Sequence, residues 1–221
     1  MLWCVKAILF DLDGTLVDSI PLWIEANLRA LAARHCIMDK RTFLTEVYQR
    51  GFHYHGILEH CGLRTQDAEK FYRERNNFFD ELLREKVEWM GKAEQTLQAC
   101  AAIMPLGLMT GSARRFIDAM DARLHLSKIF RAIVTYDDTG LQMKPDPYGL
   151  FLLAKKLKVQ AAACAYVGDQ LVDVQAARAA GMTSVLIPTK DTPQGAAKEA
   201  DVVLKNTEDV TDIVKNRSSA S

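Results

Sequence analysis

The sequence has no excess charge of either sign. Its 28 lysine and arginine residues balance 28 aspartate and glutamate residues over 221 positions. Without a long-range positive field, neither nucleic acid nor an anionic membrane is an expected partner. Paired cysteines are missing too. The five present (Cys4, Cys36, Cys61, Cys100, Cys164) are odd in number, scattered and without a CxxC, so zinc or dithiol chemistry is disfavoured and buried free thiols are expected. No GxxxxGKS/T stretch occurs, which argues against a P-loop kinase. The opening residues, Met1 to Phe10, hold one basic side chain and run into an Asp-rich loop, without the apolar region and cleavage site of a secretory signal. A cytoplasmic protein is expected. What the chain does have is 49% hydrophobic and 25% charged residues, enough for a globular core in one domain or two unequal ones.

Residues 5–10 form a short apolar run, broken only by Lys6, that stops at Asp11-Leu12-Asp13-Gly14-Thr15. This predicts a buried strand entering a tight loop. Asp18, Ser19 and Pro21 then mark a helix start, Asp39 opens a second helix, and Thr65 opens a long one. Phe71, Tyr72, Phe78 and Phe79 in the last of these read as core packing. After Gly91, short apolar runs alternate with amphipathic helices, the order of a parallel sheet covered by helices. Strands are expected at 106–109, 132–135, 163–167, 184–187 and 201–204, with Ser112 capping one helix and Asp146-Pro147 opening another. The predicted fold is α/β, with a Rossmann-like core from 1–17 and 91–221, an inserted helical domain at 18–90, and a frayed tail at 216–221.

Open parallel sheets place ligands at the carboxyl ends of their strands. There this sequence offers Asp11 and Asp13, then Thr110-Gly111-Ser112, then Lys144, then Gly168-Asp169 with Asp173 one helical turn on. Carboxylates gathered this closely repel unless a cation sits among them, and magnesium, hard and oxygen-seeking, is the natural one. Singly, each residue has a duller reading: Asp13-Gly14 as a turn, Asp169 as a helix cap, Lys144 as a surface lysine. Jointly, at one sheet edge, they argue for a site.

Asp11-Leu12-Asp13-Gly14-Thr15-Leu16, Thr110, Lys144-Pro145 and Gly168-Asp169-Gln170-Leu171-Val172-Asp173 resemble the four motifs of the haloacid dehalogenase superfamily in order and spacing. Overall the chain looks like the phosphoglycolate phosphatase branch, although Met90-Gly91 stands where that branch often has Pro-Gly, and the insertion resembles the family's helical cap. The resemblance implies a phosphatase for a small phosphorylated metabolite, with Asp11 attacking phosphorus and Asp13 as general acid and base. It also implies magnesium held by the Asp11 carboxylate, the Asp13 carbonyl and Asp169, with Asp173 ordering bound water and Thr110, Lys144 and the Gly111 amide contacting phosphate. A monomer or homodimer is expected.

Within the superfamily, Asp13 disfavours carbon–halogen and carbon–phosphorus cleavage. A sugar phosphomutase is the alternative, but Trp23 stands where beta-phosphoglucomutase-like enzymes carry histidine; a catalytically silent relative is the other. A signalling receiver domain would place its phospho-accepting aspartate on a later strand and lack the insertion. His53, His55 and His60 cluster in the insertion but are too few for a zinc site and read as polar surface. The loop at 50–56 is expected either to turn Arg50 toward the leaving group or to serve as a solvated helix connection.

Overall fold

The structure, a computed structural model, describes residues 5–52 and 54–215. Cys4, His53 and the expected frayed tail at 216–221 lie outside the described residues. Two compact units result: one runs up to Asp18 and resumes at Glu88, the other is Ser19–Val87.

The first unit is built on six parallel strands: β1 (Ala7–Phe10), β2 (Leu106–Met109), β3 (Ala132–Val134), β4 (Cys164–Gly168), β5 (Thr183–Leu186) and β6 (Val202–Val203). Their order is β3-β2-β1-β4-β5-β6, the doubly wound arrangement expected from the alternating pattern. Lys6 falls outside β1, where its amide still donates to Ala163. All four β1 residues are fully buried. On one face Ala7 and Leu9 pack beside Cys164 and Tyr166 against Leu150, Leu153 and Leu157 of the helix Tyr148–Leu157. Each buried aliphatic side chain contributes roughly 1.5–3 kcal/mol, and a one-residue slip would turn these side chains to the opposite face. β1 is therefore fixed in register between β2 and β4. The winding direction reverses between β1 and β4, so the loops leaving these two strands diverge and open a crevice at their carboxyl ends.

In the second unit the helix Ile20–Ala32 starts at Ser19 with Pro21 in its first turn. It buries Ile24, Ala30 and Leu31 with Phe43, Ile57, Leu58 and Phe71, the last from the long helix Ala68–Lys86. Asp39 caps the short helix Lys40–Phe43 by accepting from the Arg41 and Thr42 amides at 2.9 and 3.0 Å, after which Leu44–Tyr48 widens into a π-helical turn. Thr65 opens a 3-10 turn rather than the long helix itself. Two packing expectations need correction. Tyr72 is exposed, its ring lying 5.0 Å from that of Tyr54, because its place on the helix faces away from the apolar seam. Cys36 and Cys61 are half-buried against the apolar cluster, unlike the buried Cys100 and Cys164. No strand occurs among the described residues of this unit, and no described helix is long and apolar enough to cross a membrane.

Candidate active site

β1 delivers Asp11 directly. Its amide continues the ladder by donating to Val167 at 2.8 Å, so the carboxylate emerges at the switch point beside the end of β4. The chain then turns tightly, with the Leu16 and Val17 amides donating back to Leu12. Gly14 makes this turn possible on two counts. Its φ of +87° suits glycine, and a Cβ there would stand 2.8 Å from Asp169 Oδ2. From β4, Gly168 leads into Asp169 and the helix Leu171–Ala179, whose first turn holds Asp173. A Cβ on Gly168 would lie 2.4 Å from Asp173 Cγ, so this glycine too is required by the close approach of a site carboxylate.

Lys144 reaches into the crevice. Its Nζ donates to Asp11 Oδ1 at 2.6 Å, Asp173 Oδ1 at 2.5 Å and the Tyr166 hydroxyl at 3.1 Å, which occupies all three ammonium donors. Burial works against this charge, but Asp11, Tyr166 and Asp173 outweigh it and hold the ammonium well above its ordinary pKa. A second group adjoins the first. The Ser112 hydroxyl donates to Asp13 Oδ2 at 2.9 Å, and the Thr110 hydroxyl donates to the same oxygen at 3.4 Å while accepting from the Ser112 amide at 3.0 Å. Ser112 is thus not the helix cap that its position predicts. Ala113 takes the N-cap position of the helix Arg114–Leu124, and the Ser112 side chain is turned to Asp13.

Among the described residues, one group of acidic side chains could hold a metal ion: Asp11, Asp169 and Asp173, with ligand oxygens all within 4.8 Å of one another. They are 5, 3 and 2% exposed. Three buried carboxylates face one ammonium, and the imbalance registers on Asp11. Burial, aided by Asp173 and Asp13, outweighs Lys144 and raises that carboxyl from 3.8 to about 8. Burial raises Asp169 as well. A hard, all-oxygen donor set that needs another positive charge to stay ionised fits magnesium.

The same shift predicts how the metal-free protein responds to pH. Between 3.8 and about 8 the folded protein holds a proton on Asp11 that the unfolded chain has released, so stability falls as pH rises through that window. Asp169 acts in the same direction. At Asp138, hydrogen bonds from Thr135 and Lys156 outweigh burial and lower the carboxyl to about 2, so its contribution is lost only at acid pH, below the unfolded value of 3.8. Thermal melts in chelator should therefore show a melting temperature that declines from about pH 5 to about pH 8, with magnesium restoring most at the upper end. A metal-free melting temperature that climbs across this range would contradict the assignment.

The remaining sequence candidates are divided between the two units. Gly111 sits between Thr110 and Ser112, and a Cβ there would be 3.4 Å from Met143 Cε. Arg50 belongs to the helical unit, where it is exposed and paired with Glu46 one helical turn earlier. His55 and His60 face the rings of Tyr54 and Phe52, and neither joins a metal-binding group among the described residues. Sequence reasoning placed Ser112 at the sheet edge as a helix start and gave no role in the site to Thr15, Tyr166, Gln170 or Thr192. Tyr166 carried a usable signal, since a tyrosine inside an apolar central strand needs a partner for its hydroxyl.

A family model described as haloacid dehalogenase-like hydrolase matches residues 5–181. The phosphoglycolate phosphatase of Yersinia pestis is 30% identical over 186 residues, spanning 80% of this chain and 78% of its own length. Among solved structures, a Thermotoga maritima protein provisionally described as a beta-phosphoglucomutase aligns with a TM-score of 0.81 at 22% identity, over 96% of this chain and 99% of that one. CbbY from Rhodobacter sphaeroides, solved in complex with phosphate, aligns with a TM-score of 0.76 at 20% identity over 96% of this chain and 99% of its own. A mutant of CbbY has also been solved with xylulose-1,5-bisphosphate.

Proposed function

This chain belongs to the haloacid dehalogenase-like hydrolases, and from that premise we propose that it hydrolyses a small phosphomonoester, a sugar phosphate or a phosphoglycolate-like compound, with magnesium and through a phospho-aspartate on Asp11. The observation that carries this reading is the unequal treatment of two carboxyl groups two residues apart. Asp11 is buried against an ammonium, while Asp13 is held at one oxygen by the hydroxyls of Ser112 and Thr110. Two acids in different environments suit two different roles.

Lys144 orients the Asp11 carboxylate and favours its charged form, so that Oδ2 is left to attack phosphorus. As the phosphorus–oxygen ester bond breaks, Asp13 gives its proton to the leaving oxygen. The ionised Asp13 then takes a proton from water as that water attacks the phosphoryl group, releasing phosphate and restoring Asp11. Asp11, Asp169 and the Asp13 carbonyl would hold magnesium, with Asp173 ordering its bound water, and the ion would supply the positive charge that lets a carboxylate approach a phosphate dianion. Phosphate and sugar bisphosphate binding by CbbY, and the activity named for the Yersinia relative, support this substrate class.

Purified protein should release phosphate from p-nitrophenyl phosphate with magnesium and lose that activity in excess chelator. Asp13→Asn should cost ~100-fold or more on an alkyl phosphate, whose leaving oxygen needs a proton, and less on p-nitrophenyl phosphate, whose leaving group does not. Equal losses on both would remove Asp13 from the acid role. A phosphate-release screen over sugar phosphates, phosphoglycolate, nucleotides and pyrophosphate then identifies the substrate. Trp23 packs its ring against Phe43 and Tyr48, which supports hydrolysis over phosphoryl transfer between sugar positions. Isomerised sugar phosphate in place of free phosphate would overturn the hydrolase reading.

A further inference from the structure

Asp169 is restrained at every oxygen it has. Thr15 donates to Oδ1 at 3.3 Å, Gln170 Nε2 donates to Oδ2 at 2.5 Å, and the Thr192 hydroxyl donates to the backbone carbonyl at 2.7 Å. Of these, Gln170 makes a further connection. Its side chain also accepts from the Asp173 amide, while the Asp173 carboxylate accepts from the Gln170 amide at 2.9 Å, a reciprocal capping arrangement. One side-chain amide thus touches both acidic positions. The chemistry of the partners fixes its orientation, because a carboxylate oxygen needs the NH2 end and a backbone N–H needs the carbonyl end.

We propose that Gln170 is a positioning residue for the metal site, its amide clamping the Asp169 carboxylate to the helical turn that carries Asp173. The proposal rests on the reading of this site as a magnesium site. Two features favour it over capping alone. Glutamine is outside the preferred N-cap set of serine, threonine, aspartate and asparagine. Those that can cap, moreover, spend a short side chain on the helix, whereas the longer amide caps with its oxygen and keeps a donor for Asp169. A carboxylate turned to its binding orientation in advance avoids the entropic cost of ordering when the ion arrives, and outer hydrogen bonds of this kind typically govern metal affinity.

The test is calorimetric titration of metal-free protein with Mg2+. Gln170→Glu keeps an acceptor for the Asp173 amide but replaces the donor with a carboxylate facing Asp169. Charge alone would make the site more attractive to a cation; loss of the clamp makes it less so. The expected result is a magnesium dissociation constant raised about 10-fold or more, with kcat largely recovered at saturating magnesium. Unchanged or tighter binding overturns the clamp. Gln170→Leu, which removes the donor and the cap together without adding charge, should weaken binding in the same direction, and unchanged binding in it overturns the clamp if the glutamate variant does not fold. Wild-type protein that binds no magnesium would instead overturn the metal reading itself, so the two failures are distinguishable.

Discussion

Asp11→Asn should release phosphate from p-nitrophenyl phosphate on the order of 10⁴-fold more slowly than the parent protein, or below detection, without loss of the fold. The substitution changes one atom's worth of chemistry. Asparagine keeps an oxygen at the position that accepts from Lys144 at 2.6 Å, so the packing around the end of β1 has no reason to shift. What it removes is the nucleophile, since a neutral amide does not displace an alkoxide from phosphorus. The stability consequence runs the other way. Burial holds the Asp11 carboxyl at about 8 in the metal-free protein, so the parent carries an ionisation penalty near neutral pH that asparagine lacks. The variant should therefore melt no lower than the parent in chelator and should gain less from magnesium. Initial-rate phosphate assays and paired thermal melts read both effects, and turnover comparable to the parent would sink the phospho-aspartate mechanism.

How far the sequence reveals such a site depends on whether a residue's role follows from its position or from its neighbours. β1 was legible because four apolar residues end at an acidic turn, a pattern that only a buried strand entering a loop explains. Asp169 and Asp173 were legible as a pair because a strand end followed by a helix start places residues four apart on adjacent turns. The short helices were less so: periodicity does not distinguish the π-helical turn at Leu44–Tyr48 from an ordinary helix, because the apolar spacing is nearly the same. Ser112 shows the limit most clearly. Its place before a helix makes capping the best local interpretation, yet the helix begins one residue later and the Ser112 hydroxyl donates to Asp13, 99 positions earlier. Tyr166 shares that character: Lys144 and Met109, 22 and 57 positions away, are set beside it by tertiary proximity, which no local pattern encodes.

Lys144→Met should lower both stability and activity, and its effects separate two roles that the superfamily pattern merges. The resemblance implies a lysine that binds phosphate. In the structure all three of its donors are spent on Asp11, Asp173 and Tyr166, so its first task in the free protein is to hold the nucleophile and the second acidic turn together. Removing it leaves Asp173 and, where it is ionised, Asp11 buried without their counter-charge, a change that costs about 3 kcal/mol. The melting temperature in chelator should fall accordingly, and the deficit should narrow as the pH is lowered and Asp11 is protonated in any case. Saturating magnesium should recover much of the stability by supplying positive charge between the same groups. It should not recover turnover. The transition state spreads negative charge where the ammonium stands, and a preorganised donor of this kind contributes roughly 10²–10³ in kcat. Lys144→Arg should fail to rescue either property, because a planar guanidinium cannot direct three N–H groups at acceptors converging on one nitrogen. If magnesium restored turnover along with stability, Lys144 would be a charge-balancing residue only, and stabilisation of the transferring phosphoryl group would have to come from Thr110 and the neighbouring Gly111 amide.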